Sequence, residues 1–135
     1  MKAKASNTVR IIGGEYRSRL LHFPDLPGLR PTPDRVRETL FNWLGQRLDG
    51  LVCLDAFAGS GALGFEAASR GAARVVMLEQ ELKAHAALLH NAHLLRACNV
   101  DVLRRDARSH LAGGGEAYDL IFLDPPFAGE LWGPT

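Results

Sequence analysis

The sequence predicts an α/β domain built on a mostly parallel sheet. Three observations carry that expectation. Apolar runs of strand length alternate with helical patterns from residue 51 onward. The first run, Leu51 to Asp55, leads through the small-residue turn Ala56-Phe57-Ala58-Gly59-Ser60-Gly61 into a helical stretch. Two later runs end in a carboxylate: Glu79, and Asp124 with Pro125-Pro126-Phe127 behind it. Continuous apolar character means that both faces of each strand are covered, as in a parallel sheet. In such sheets a ligand sits outside the carboxyl ends of the strands.

The bulk composition sets the limits. A chain of 135 residues has room for one sizeable core. Apolar residues make up 47% and charged residues 23%, the proportions of an ordinary globular protein. No apolar run reaches membrane-span length, and the N-terminus lacks the apolar segment of a signal peptide. Cys53 and Cys98 form no metal-binding spacing. These features predict a reduced, cytoplasmic protein without a membrane partner. Charge is uneven along the chain. Residues 1–50 hold nine Lys/Arg against five Asp/Glu, and residues 51–135 hold seven against ten. A basic leading segment suggests an anionic partner docking at that end; an unevenly charged solvated surface is the plainer alternative.

In order, residues 1–8 read as a polar tail, and Val9 to Ile12 and Tyr16 to Phe23 as the strands of a hairpin turning at Gly13-Gly14. Arg10, Arg17 and Arg19 fall on its surface. Pro24 to Pro33 is too rich in proline for helix or central strand. A helix follows, with Thr32 expected as N-cap and Pro33 in its first position. Val36, Leu40, Trp43, Leu44 and Leu48 are expected on its core face, with Arg35, Glu38 and Asn42 left polar. Arg30, Arg35 and Arg37 crowd its start. Arginine forks suit phosphates, but pairing with Asp34 and Glu38 is an equal alternative. Further strands are expected at Arg74 to Glu79, Val100 to Leu103 and Tyr118 to Leu123, and a helix from Glu81 to Arg96 with Ala84, Leu88, Asn91 and Leu95 on one side. His85, His90 and His93 lie on that helix, but nothing completes a ligand set, so no metal is expected. Gly113-Gly114-Gly115 reads as a turn.

The chemistry gathers at the strand ends. Gly59-x-Gly61-x-x-Gly64 fits the dinucleotide fingerprint, a weak signal alone. Asp55, four residues before the first glycine, would repel a pyrophosphate. It suits a ligand carrying an ammonium beside a carboxylate, as S-adenosylmethionine does at its methionine end. Glu79 stands 20 residues after Gly59, the place of a ribose-binding acid in either cofactor class. Asp106, after the third of these strands, is a candidate for an adenine amino group or a helix cap. Asp124 with its prolines turns the chain sharply beside that pocket. An exocyclic amino nitrogen of a base is a poor nucleophile, because its lone pair is delocalised. Asp124 and the Pro125 carbonyl suit its two N–H groups, and Phe127 suits the face of the base.

These stretches together resemble a known family. Arg10-Ile11-Ile12-Gly13-Gly14, the run from Arg30-Pro31-Thr32 to Trp43-Leu44, the Asp55–Gly64 loop and Asp124-Pro125-Pro126-Phe127 look like the RsmD family of bacterial 16S rRNA guanine-N2 methyltransferases. The resemblance implies a Rossmann-like class I S-adenosylmethionine-dependent methyltransferase fold, with a mostly parallel sheet and an N-terminal β-hairpin. Residues 1–50 would be the RNA-contacting hairpin, loop and helix, packed on the same domain as the methyltransferase core at 51–135. Asp55, Phe57, Gly59, Ser60, Gly61, Glu79, Asp106 and Ala107 would hold the cofactor. Asp124, Pro125 and Phe127 would hold the target guanine, and Arg10, Arg17, Arg19, Arg30, Arg35 and Arg37 would contact 16S rRNA of the small ribosomal subunit. Family members are expected to be monomeric and to continue with three more strands. The expectation here is therefore of a sheet lacking its C-terminal part, inactive alone and prone to self-association. An adenine-N6 DNA methyltransferase and a non-catalytic cofactor- or RNA-binding fragment are the alternatives.

Overall fold

The structure is a computed structural model, and it describes residues 7–113 and 116–124. Pro125, Phe127 and most of the expected N-terminal tail lie outside the described residues, as does most of the Gly113–Gly115 turn.

The chain opens with an antiparallel pair, β1 (Thr8–Arg10) and β2 (Leu20–His22), in which Val9 faces Leu21. The expected return strand from Tyr16 is shorter. Residues 15–18 turn instead, because the Glu15 N–H bonds to the Ser69 carbonyl and the Tyr16 N–H to Ser69 Oγ. After the proline-rich loop comes α1 (Asp34–Trp43), and then the core alternates: β3 (Val52–Asp55), α2 (Ala62–Ser69), β4 (Arg74–Leu78), α3 (Leu82–Leu95), β5 (Val100–Leu103), α4 (Ala107–Ala112) and β6 (Leu120–Phe122).

The four core strands lie in the order β5-β4-β3-β6, and every pairing is parallel. The chain steps outward from β3 to β4 to β5, then returns to place β6 on the far side of β3. Right-handed crossovers put helices of opposite step direction on opposite faces. Accordingly Cys53, Val75 and Met77 pack in a large core with α2, α3, Phe41 and the hairpin residues Val9, Ile11 and Leu21. Leu54, Val76 and Leu78 face the other way, in a smaller core with Ala107 of α4. Helix α3 buries Ala84, Leu88, Asn91 and Leu95, the side expected from the sequence. Asn91 clamps the β2 backbone, accepting from the His22 N–H at 3.3 Å and donating to its carbonyl at 2.8 Å.

Helix α1 departs from expectation. Its N-cap is Pro33, with no side-chain cap, so Thr32 is not the capping residue. Its buried residues are Arg37 and Phe41; Val36 is 51% exposed and Trp43 81% exposed. Leu40 and Leu44 pack against the core and Leu48 is buried, as expected, but the centre of the inward stripe is rotated by about one residue, onto Arg37 and Phe41. A buried carboxylate partner for Arg37 explains the rotation. Glu66 of α2, itself fully buried, lies 2.9 Å from Arg37 Nη1. Strand β6 also departs from expectation. It spans Leu120–Phe122, and Ile121 and Leu123 are exposed.

Candidate active site

The order β5-β4-β3-β6 reverses direction between β3 and β6, and the crevice outside such a reversal is where α/β sheets bind ligands. A cavity of about 760 Å³ lies there. Asp55 ends β3, Glu79 follows β4, Asp106 follows β5, and Asp124 lies two residues past β6. All four line the cavity. The register explains the convergence: Asp55 pairs with Met77 on one side and Phe122 on the other, so the acids leave neighbouring strands at similar heights.

The turn after β3 is built tightly. Gly61 has φ of +87°, and a Cβ there would stand 2.6 Å from the Phe65 ring. Glycine alone takes that conformation without strain. Gly64 lets α2 settle on the sheet, since a Cβ on it would meet Met77 Cε at 2.8 Å. That closeness brings its N–H within 3.0 Å of Asp55 Oδ2. Ser60 Oγ takes the Ala62 N–H at 3.3 Å. Two of the first three amide donors of α2 are thus already engaged, which leaves little of the anion site that a dinucleotide pyrophosphate uses.

Asp55 is fully buried, and its Oδ1 has no partner meeting hydrogen-bond geometry. Burial pushes its carboxyl up to about 7, and the charges of Asp124 and Glu79 push the same way, while the Gly64 and Phe57 N–H groups oppose them. An orphaned buried acceptor costs free energy until a donor reaches it. A cationic donor would satisfy this one and restore its charge.

Glu79 makes two backbone contacts. Oε1 accepts the Gly59 N–H at 2.9 Å and Oε2 the Glu81 N–H at 3.0 Å. A carboxylate offers about four lone-pair sites, so acceptor capacity remains for hydroxyls of a ligand. Asp106 caps α4, its Oδ2 accepting the Ser109 N–H at 3.1 Å, and it also borders the cavity. Of the two alternatives drawn for it from the sequence, the helix cap is the one observed. Phe57, Gly59, Ser60 and Ala107 line the cavity as well. Gly61, expected with them, does not line the cavity and instead shapes the turn.

Sequence reasoning missed the opposite wall. Leu26, Pro27, Leu29, Arg30 and Thr32 of the proline-rich loop close the cavity, and Thr32 Oγ1 donates to Asp124 Oδ2 at 3.1 Å. The signal was the pair of prolines flanking Thr32, which stiffens that position.

The arginines separate into two groups. Arg10, Arg17, Arg19, Arg30 and Arg35 are exposed. Arg37 is not, which corrects its expected place among the RNA contacts. It donates to Glu66, to the Arg10 and Thr32 carbonyls and to Asp34. Glu66 also accepts the Ile12 and Gly13 N–H groups and Arg70 Nε, at 2.9–3.0 Å. Arg37 thus follows the intramolecular-pairing alternative, with Asp34 as expected but with Glu66 in place of Glu38. Among the described residues no group of His, Cys, Asp and Glu is placed to hold a metal ion, and no helix is long and apolar enough to cross a membrane.

Sheet order, the loop after β3 and the acids at the strand ends define a class I, Rossmann-like methyltransferase fold. A structure from Rhodobacter capsulatus, the C-terminal domain of precorrin-6Y C5,15-methyltransferase, shares that fold at a TM-score of 0.63 with only 18% identity. The model of the family described as conserved hypothetical protein 95 matches residues 9–134, and the chain belongs to that family, the RsmD family. Ribosomal RNA small subunit methyltransferase D of Escherichia coli is 51% identical over 122 residues, which cover 90% of this chain and 62% of that protein. The chain thus spans less than two thirds of that relative's length. The Haemophilus influenzae protein of the same name is 43% identical over 91% of this chain and 66% of its own length. An Escherichia coli structure named for a methyltransferase superposes at a TM-score of 0.82 with 50% identity, covering 89% of this chain and 65% of that one.

Proposed function

We propose that this chain methylates the exocyclic N2 amino group of a specific guanine in 16S rRNA of the small ribosomal subunit, with S-adenosylmethionine as methyl donor. One observation carries the reading most directly. A buried, unsatisfied Asp55 and an exposed Asp124 line the same cavity, at the ends of adjacent strands. The first fits a cationic cofactor end, and the second is open to a substrate. The relatives' names, which speak of small-subunit ribosomal RNA, support the substrate class.

When bound, S-adenosylmethionine supplies an electrophilic methyl group on a sulfonium. Asp55 would receive its ammonium, and Glu79 its ribose hydroxyls. Asp106 borders the same cavity and is the candidate for the adenine amino group. On the substrate side, Asp124 would accept one N–H of the guanine amino group. That contact favours a pyramidal nitrogen whose lone pair is free to attack, an orientation effect that is large when it places reacting atoms correctly. The exposed Arg10, Arg17, Arg19, Arg30 and Arg35 would meet RNA phosphates and set register.

The experiment is transfer of labelled methyl from S-adenosylmethionine to small ribosomal subunits lacking the mark, followed by mapping of the modified base. Label on a guanine N2 is the expected result, and it would replace the expectation, drawn from the resemblance, that this chain is inactive alone. Label on DNA adenine, or cofactor binding with no transfer to any ribosomal substrate, would overturn the reading.

A further inference from the structure

Asp124 is met from across the cavity by a residue far away in sequence. Thr32 Oγ1 donates to Asp124 Oδ2 at 3.1 Å, 92 residues apart along the chain. A threonine just before a helix ordinarily turns its hydroxyl onto the helix's own N–H groups. This one does not, since α1 begins at Asp34 behind Pro33 without a side-chain cap. Its hydroxyl is therefore committed to the carboxylate.

The position is held firmly. Pro31 and Pro33 flank Thr32, so its backbone is confined to extended conformations. Its β-branched side chain restricts χ1 further. Its carbonyl accepts Arg37 Nε at 3.1 Å, and Arg37 is fixed by Glu66, both side chains being fully buried. Asp124, by contrast, is exposed two residues past a three-residue strand. The rigid partner in the Thr32–Asp124 contact is Thr32.

We propose that Thr32 is a positioning residue for methyl transfer: its hydroxyl holds Oδ2 of Asp124 and leaves Oδ1 to accept the N–H of the target amino group. This rests on the role given to Asp124 above. An aspartate held by one oxygen presents the other in a fixed direction, whereas a free one averages over rotamers. Small misplacements of such a group lower rate much more than binding. Thr32 acts through Asp124.

The test compares Thr32→Val, which keeps the shape and removes the donor, with Thr32→Ser, which keeps the donor. Labelled S-adenosylmethionine and small ribosomal subunits are the probes, with the unmutated chain alongside and a melting curve for each protein. Thr32→Val is expected to lower kcat about ten-fold with KM for S-adenosylmethionine and melting temperature nearly unchanged, and Thr32→Ser to stay within about three-fold of the unmutated kcat. Unchanged kcat in Thr32→Val overturns the proposal. So does a parallel loss of kcat, cofactor affinity and melting temperature in both variants, which would mark a merely structural residue. No transfer by the unmutated chain removes the reading of function, and the catalytic meaning of Thr32 with it. Transfer by the unmutated chain with equal transfer by Thr32→Val removes only the role of Thr32.

Discussion

Arg37 Nη1 lies 2.9 Å from Glu66 Oε1, with neither side chain exposed to solvent. The pair joins three parts of the fold: α1 carries Arg37, α2 carries Glu66, and the β1–β2 segment supplies the Ile12 and Gly13 N–H groups on the same carboxylate. Removing one partner leaves a buried charge without compensation, which costs far more than the pair itself is worth. Arg37→Ala should therefore lower unfolding free energy by about 3–5 kcal/mol. Replacing both residues by apolar ones should cost clearly less than the sum of the single changes. Urea melts of the four proteins would read this, and additive losses would show that the two residues are energetically independent.

The exposed arginines make a separate prediction. Arg10 and Arg19 already donate to the Ser18 and Leu94 carbonyls, at 3.1 Å each. Arg17, Arg30 and Arg35 are the better candidates to take phosphates. Each true phosphate contact adds about 0.7–0.9 to the slope of log affinity against log salt. Replacing all three by glutamine should flatten the slope for ribosomal RNA by about 2 units and leave cofactor affinity alone. Filter binding from 50 to 300 mM salt (about that range suffices) would decide, and an unaltered slope would make these arginines ordinary surface residues.

Glu79 ties the Gly59 turn to the end of β4 through two backbone N–H groups. Glu79→Ala should weaken S-adenosylmethionine by about 1–3 kcal/mol, part of it from the loosened turn and part from the lost ribose acceptor. NADH should bind neither protein. Calorimetry with both ligands tests this, and micromolar NADH binding to the unmutated chain would contradict the methyltransferase assignment of the pocket.

Asp124 is aimed at the substrate in this reading. Asp124→Ala should leave cofactor affinity within a few-fold and lower methyl transfer by about 10²-fold or more. Single-turnover assays with saturating cofactor measure the chemical step directly. Undiminished transfer would assign the target amino group to some other acceptor.

Strands β3, β4 and β6 were legible as continuous apolar runs, β5 by the alternation around Asp101, and Asp55, Glu79 and Asp124 stood out because they follow the apolar runs. The face of α3 was legible for a related reason: Asn91 sits among apolar residues at helical spacing. The orientation of α1 was not, because pattern reasoning counts apolar residues. It could not know that Arg37 has a buried partner 29 residues away. Glu66 carried the missed signal. It is a lone charge inside the otherwise apolar and small-residue helix Ala62–Ser69, and such a charge has to be paired. Thr32 was hidden more deeply, since its contact with Asp124 spans almost the whole domain and leaves no local pattern.

Asp55 makes the pH prediction. Burial raises its carboxyl to about 7, well above the ordinary aspartate value near 4. Below about pH 4 the group is protonated in folded and unfolded chains alike. Between about 4 and 7 the unfolded chain ionises while the folded chain keeps its proton, so this group takes away stability as pH rises; above about 7 the loss is complete. Asp55→Asn removes that contribution, and the variant should gain on the unmutated chain between about pH 5 and 8, by at most about 4 kcal/mol. Cofactor binding should show the mirror effect. An ammonium beside Asp55 favours the ionised carboxylate, so binding near pH 6 should expel a proton, and affinity should climb with pH and level off near 7. Calorimetry in two buffers of different ionisation enthalpy counts the proton, and Asp55→Asn should release none through this group. Affinity for S-adenosylmethionine that is flat from about pH 5.5 to 7.5, with no proton released, would show that the cofactor's cationic end lies elsewhere.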